Sequence, residues 1–195
     1  LIVFDLGRIF MKQDVIVRTW RWLGMFLFVA AMATCLTNTA YAADDPEPCS
    51  ANVESRQLDY WLGNWNITVP GRTADNNSKS KVYLSLDKCV VIESWEDGRG
   101  HAGENMFAYN AENKRWYGMF ADNRGHVHVF VDGKVGAGSA EFFGPSRGPN
   151  GEAVLHRIKV VRLAPDKVEQ LWEKSTDNGA TWTEVFRGEY LRAKS

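Results

Sequence analysis

After Gly63 the chain breaks into short runs in which apolar and polar residues alternate, separated by clusters of turn residues. Alternation with a period of two is the pattern of a strand with one covered face, and repeated short runs with short connections read as an antiparallel meander. The runs fall at 65–70, 79–86, 89–96, 103–110, 115–122, 126–132, 134–143, 154–163, 168–175 and 182–192. Asp97-Gly98-Arg99-Gly100, Asn123-Arg124-Gly125 and Asp132-Gly133 supply residues that tolerate positive φ, and Ala164-Pro165-Asp166 pre-sets a reversal. A meander of this many strands buries its edges only by closing on itself. The expected fold is therefore all-β, a ten-stranded antiparallel up-and-down barrel. Two longer polar connections, Gly71 to Ser78 and Gly144 to Glu152, would frame the mouth of such a barrel if they share a rim. No repeat of propeller or solenoid length recurs.

The first fifth of the chain has a different character. From Met11, the basic residues Lys12, Arg18 and Arg21 precede the uncharged apolar run Trp22 to Leu36, and Ala40-Tyr41-Ala42 offers small residues at a cleavage position. This is the order of parts in a secretory signal, and the apolar run is shorter than the ~20 residues that span a bilayer. Residues 1–42 are thus expected to be a signal peptide, 43–50 a linker and 51–195 the barrel domain, and the expected location is periplasmic or secreted. The chain opens on Leu1 ahead of Met11, so residues 1–10 read either as an over-extended frame or as following a non-standard start codon. Setting aside residues 1–42 removes four basic and two acidic side chains from the 23 and 24 of the whole, leaving a net charge of −3. Dispersed charge of that sign lacks the basic stripe that follows phosphates, so neither nucleic acid nor an anionic membrane surface is an expected partner. No membrane span is expected after cleavage, and the oligomeric state is not legible.

Cleavage would remove Cys35 and leave Cys49 and Cys89 in an oxidising compartment, where the two are expected to pair. Between them, Ala51 to Leu62 reads as a short amphipathic helix with Leu58, Trp61 and Leu62 on one side, suited to plug or cover one end of the barrel.

Alternation also nominates the interior. Glu93 shares a strand face with Trp95, Trp116 shares one with Gly118 and Phe120, Gln170 with Trp172, and Trp182 with Phe186, Tyr190 and Arg192. With the indoles inward, the expected ligand-binding set is Glu93, Trp95, Trp116, Arg157, Gln170, Trp172 and Tyr190: apolar walls with a few polar groups that orient a small amphipathic or aromatic molecule. An enzyme reading of the same set makes Glu93 a desolvated acid or base in proton-transfer chemistry, with Tyr190 or Arg157 meeting developing charge. A structural or interaction reading instead expects a filled interior and an exposed apolar patch on the wall. His126 and His128 lie two apart, but the valines between and after them look like the core face, which would turn both histidines to solvent; no metal site is expected.

Gly63-Asn64-Trp65, directly after the helical segment, resembles the opening motif of lipocalins and related calycin barrels. The resemblance implies that a basic side chain of the last strand, here Arg192, lies over Trp65 and closes the barrel base together with Gly63. The stretches LDYWLGNW (58–65), CVVIESW (89–95), NKRW (113–116) and QLWEKS (170–175) are similar to those of a family of exported bacterial proteins with lipocalin-like barrels and no established activity. Ten strands are also similar to fatty-acid-binding and nitrobindin-like barrels. Haem-binding nitrobindins carry their proximal histidine near the C-terminal end, whereas no histidine follows His156 here, so no cofactor is expected. STDNGATW (175–182) resembles the Asp-box of sialidase-type propellers, and its residues are those of a hydrogen-bonded turn.

Overall fold

The computed structural model describes residues 48–72 and 78–194; the signal-peptide reading of 1–42 and most of the linker lie outside them. Ten strands follow one another: β1 (Gly63–Thr68), β2 (Lys79–Ser85), β3 (Val90–Glu96), β4 (Ala102–Asn110), β5 (Arg115–Asp122), β6 (Val127–Gly136), β7 (Ser139–Arg147), β8 (Ala153–Ala164), β9 (Lys167–Ser175) and β10 (Thr183–Arg192). Each pairs antiparallel with its neighbours in sequence, and β1 pairs with β10, so the sheet closes into a barrel. The closing register sets Trp65 opposite Arg192 and Ile67 opposite Tyr190. The Arg192 guanidinium lies 4.3 Å from the Trp65 ring and donates to the Leu62 carbonyl, and Gly63 opens β1 at φ +133° beneath it. Gly63, Trp65 and Arg192 thus lie together where β1 meets β10.

The two ends of the barrel differ. The β2–β3, β4–β5, β6–β7 and β8–β9 connections share one end with the segment that precedes β1. That segment is not an α-helix but two 3-10 turns, Glu54–Arg56 and Asp59–Trp61. Residues three apart eclipse in a 3-10 helix, which carries Leu58 and Trp61 together into the barrel, where both are fully buried. Trp61 packs against Phe107 and Tyr190, and the Cys49–Cys89 disulfide ties the segment to the start of β3. This end is plugged. The long connections lie at the opposite, open end.

Three expectations are corrected here. Asp132-Gly133 is not a turn: β6 runs through it and reverses at Ala137-Gly138. A Cβ at Gly133 would sit 2.6 Å from the Trp116 Cβ and 2.7 Å from the Phe142 ring, so the glycine makes room for two aromatics rather than for a reversal. The β5–β6 register shifts between Trp116 and Gly118 at the same place. Second, Val127, Val129 and Val131 face outward, while Phe130, fully buried, carries His128 to the inner side. One large aromatic outweighs three valines because the interior of β6 lies against Phe120 and Trp172. Third, a bulge between Glu184 and Phe186 breaks the parity of β10, so Trp182 leaves the face shared by Phe186 and Tyr190. The STDNGATW segment is a turn held by Asp177, which accepts from Ser175 Oγ at 2.6 Å, Thr181 Oγ1 at 2.6 Å and the Thr181 amide at 2.8 Å.

Candidate functional site

Glu93, brought inward by β3, stands at the centre of the barrel and is fully buried. Its Oε1 lies 2.9 Å from Ser80 Oγ and 2.9 Å from the Tyr190 hydroxyl, and its Oε2 accepts from Asn105 Nδ2 at 2.7 Å and from Gln170 Nε2 at 3.1 Å. Four strands other than its own thus converge on one carboxyl group. The Tyr190 hydroxyl is also 2.7 Å from Gln170 Oε1. A phenol has one proton, so it cannot donate both to Glu93 and to Gln170. The contacts close when Glu93 itself carries a proton, donated to the Tyr190 oxygen while Tyr190 donates to Gln170. Turning the Gln170 amide over only moves the requirement to Oε2. Burial pushes the Glu93 carboxyl up in the same direction, against the hydrogen bonds from Tyr190, Ser80, Asn105 and Gln170 that pull it down. Burial and the facing Glu93 likewise raise the Tyr190 phenol.

Around this polar centre Trp61, Phe107, Phe130, Phe142 and Ile158 fill the plugged half. The interior there is a packed polar and aromatic core. Above it, towards the open end, a cavity of about 700 Å³ is bordered by Trp95, Phe120, Trp172 and Phe186, with Asn105, Gln170 and Tyr190 at its floor and Arg72, Ser78 and Pro149 at its mouth. Described residues of both long connections therefore reach the mouth. The Trp95 and Phe120 rings run parallel within 8° at 6.2 Å, and Trp172 meets Phe120 edge-on at 4.8 Å.

All four histidines of the sequence border this cavity. His128 and His156 pack at 4.3 Å between ring centres, and His156 Nδ1 accepts from Trp172 Nε1 at 3.0 Å. Burial, then the neighbouring His128 and Lys174, lower the His156 imidazole to about 4. Burial also lowers His128, helped by His126 and opposed by Asp122. Both rings are therefore neutral at neutral pH. At the rim, the Asp122 Oδ2 accepts from His101 Nε2 at 2.9 Å and from His126 Nδ1 at 2.8 Å, while Oδ1 accepts from the amides of Arg124 and His126. Burial raises this carboxyl, but those bonds outweigh it and hold Asp122 well below the usual carboxylate range. Among the described residues no group of three or more His, Cys, Asp or Glu side chains is arranged to hold a metal ion.

The structure divides the sequence-derived set. Trp95, Gln170, Trp172 and Tyr190 border the cavity; Glu93 lies beneath it, enclosed by its four partners. Trp116 belongs to the plugged end, where its indole donates to Gln57 Oε1. Arg157 is on the outer wall, because β8 turns Val154, His156, Ile158 and Val160 inward and so sends Arg157 out. There it binds Glu173 at 2.7 Å and stacks 3.9 Å from Trp182. Sequence reasoning missed His156, although its parity with Ile158 and Val160 gave the signal, and missed His128 by reading β6 in the wrong phase. Asn105 had no signal, since it alternates with the exposed Met106.

The fold and the cavity define a class, a closed ten-stranded antiparallel barrel with one plugged end and one open cup, consistent with a calycin-like architecture. Comparison of the sequence with family models and with the curated proteins found no match to either.

Proposed function

We propose that the barrel has a filled, structural inner half and a working cup at its open end, which takes up a small, flat, largely apolar molecule reversibly. The observation that carries this reading is the cavity of about 700 Å³ walled by Trp95, Phe120 and Trp172. Pockets of that size with aromatic walls and few polar groups suit small ligands. The reading narrows the expectation from sequence: Glu93 organises the floor and does not meet the ligand, because all its hydrogen bonds go to protein. The same enclosure counts against Glu93 as an acid or base for a bound substrate.

A filled core also fits an interaction barrel, and one observation favours that second reading. Met106, Met119 and Val129 stand side by side on β4, β5 and β6, exposed on the outer wall with Val127 and Val131 beside them. Titration with the neutral fluorescent probe N-phenyl-1-naphthylamine separates the readings. The cup predicts saturable binding that Trp172→Ala weakens about tenfold and Met119→Lys leaves alone, since an aromatic wall contributes roughly 1–2 kcal/mol. Absence of saturable binding, with self-association in sedimentation that Met119→Lys abolishes, would replace the cup with the wall.

A further inference from the structure

Two residues that border the cavity each carry a buried side-chain atom with no hydrogen-bond partner: Asn105 Oδ1 and His128 Nδ1. Asn105 is only 3 % exposed, and its amide nitrogen is committed to Glu93. Its free oxygen is therefore an acceptor of fixed sense, covered at the foot of the cup, which a donor reaches as the covering side chains give way. A buried acceptor left unpaired is costly, and a site built this way rewards whatever supplies the missing donor. His128 Nδ1 donates or accepts according to tautomer, so it accommodates either kind of group and Asn105 alone sets the sense.

The spacing defines a size. Asn105 faces Phe120 across β4–β5, and Phe120 faces His128 across β5–β6. With neighbouring strands about 4.8 Å apart, the two orphaned groups rise from backbones roughly 10 Å apart with the Phe120 ring between them. A ring system lying over Phe120, beside Trp95 and Trp172, would reach from one to the other. Asp122 is engaged by His101 and His126, and the other charged residues that border the cavity, Arg72, Lys174, Glu96 and Asp97, carry two charges of each sign. Charges so balanced give an ionic ligand over Phe120 no net counter-charge for the water it would lose.

Resting on the cup reading, we infer that the ligand is an uncharged planar aromatic or heteroaromatic molecule of one or two rings that donates an N–H or O–H to Asn105 Oδ1 while lying over Phe120.

The test uses the full chain and matched probes: indole, 1-methylindole, in which a methyl group replaces the donated hydrogen, and indole-3-acetate, which adds a negative charge. Calorimetric or NMR titration should show indole binding about tenfold more tightly than either of the others. The indole N–H resonances of Trp95 and Trp172 should shift on binding, and that of Trp182, on the outer wall, should not. Equal affinity for indole and 1-methylindole overturns the donor assignment while leaving the cup intact, and tighter binding of indole-3-acetate overturns the uncharged class. If none of the three binds and N-phenyl-1-naphthylamine also fails, the cup reading falls with it.

Discussion

Truncating Glu93 would leave Ser80, Asn105, Gln170 and Tyr190 facing one another without their shared partner, all of them buried. Glu93→Ala is expected to cost about 3–5 kcal/mol in chemical denaturation, the sum of a cavity and several unpaired polar groups. Glu93→Gln keeps the shape and the neutral charge, so it should cost under about 1 kcal/mol at pH 7; an equally severe loss would mean that the carboxylate, not the acid, holds the centre. The proton also fixes a pH dependence. The Glu93 carboxyl is raised in the folded state, so folding retains a proton that the unfolded chain releases above 4.5, and stability falls as pH rises from there. His156 acts in the opposite sense. Its imidazole is lowered to about 4, so its contribution is complete above 6.5 and is lost as pH falls towards 4. Between pH 7 and 4.5 the His156 effect should lower stability by about 2 kcal/mol. His156→Phe should remove most of that acid sensitivity and leave the alkaline decline due to Glu93 visible; an unchanged acid limb in denaturant midpoints would show that another group carries it.

The plug is held by the Cys49–Cys89 bridge and by Leu58 and Trp61, which make no strand ladder of their own. Closing a loop over a separation of 40 residues is worth at most about 4 kcal/mol in the chain-entropy model. Reduction should therefore lower the denaturation midpoint by about 2–4 kcal/mol and expose Trp61, seen as a red shift of tryptophan emission. A shift in midpoint with no change in emission would mean that the plug stays seated unaided. Gly133 tests the β6 correction: Gly133→Ala drives a methyl group against Trp116 and Phe142 and should cost about 1–3 kcal/mol, whereas alanine in an exposed turn would cost little. These elements show what was legible in the sequence. Strand order and closure followed from local alternation and turn residues, and the inward parity of Glu93, Gln170 and Tyr190 followed from the same pattern. What failed was phase and continuity. A bulge before Phe186 reversed Trp182, three valines outvoted Phe130 on β6, and a glycine that relieves aromatic crowding read as a turn. Each error is tertiary in origin, set by packing partners far away in the chain, so no window along the strand contained it. Asn105 was illegible for the same reason, since its inner place is paid for by Glu93 on the next strand.

At the scale of the barrel, the wall is not uniform. The β7–β8 and β8–β9 ladders each run the length of their strands, but β6 and β7 pair only from Asp132 with Phe143 to Gly136 with Ser139. Towards the open end, Val127–Val131 and Gly144–Arg147 share no ladder, although the chains stay close enough that a methyl group at Gly144 would lie 2.1 Å from the Val129 carbonyl oxygen. Across this seam the neutral rings of His128 and His156 pack together over the side-chain-free Gly144, so ring contact replaces part of the missing ladder. The plugged end gathers the large buried residues, whereas the seam borders the cup, which places a stretch of wall without a ladder beside the cavity. Amide hydrogen exchange should follow this division. The amides of Val127, Val129 and Val131 are expected to open at free energies well below the global value, while those of β8 and β9 approach it. Protonating His156 and His128 as pH falls towards 4 should lower seam protection further by placing two like charges across it, after correction for the intrinsic pH dependence of exchange. Equal protection around the whole ring at both pH values would mean that the barrel opens only by global unfolding, and that ligands enter through the mouth between the two long connections without help from the wall.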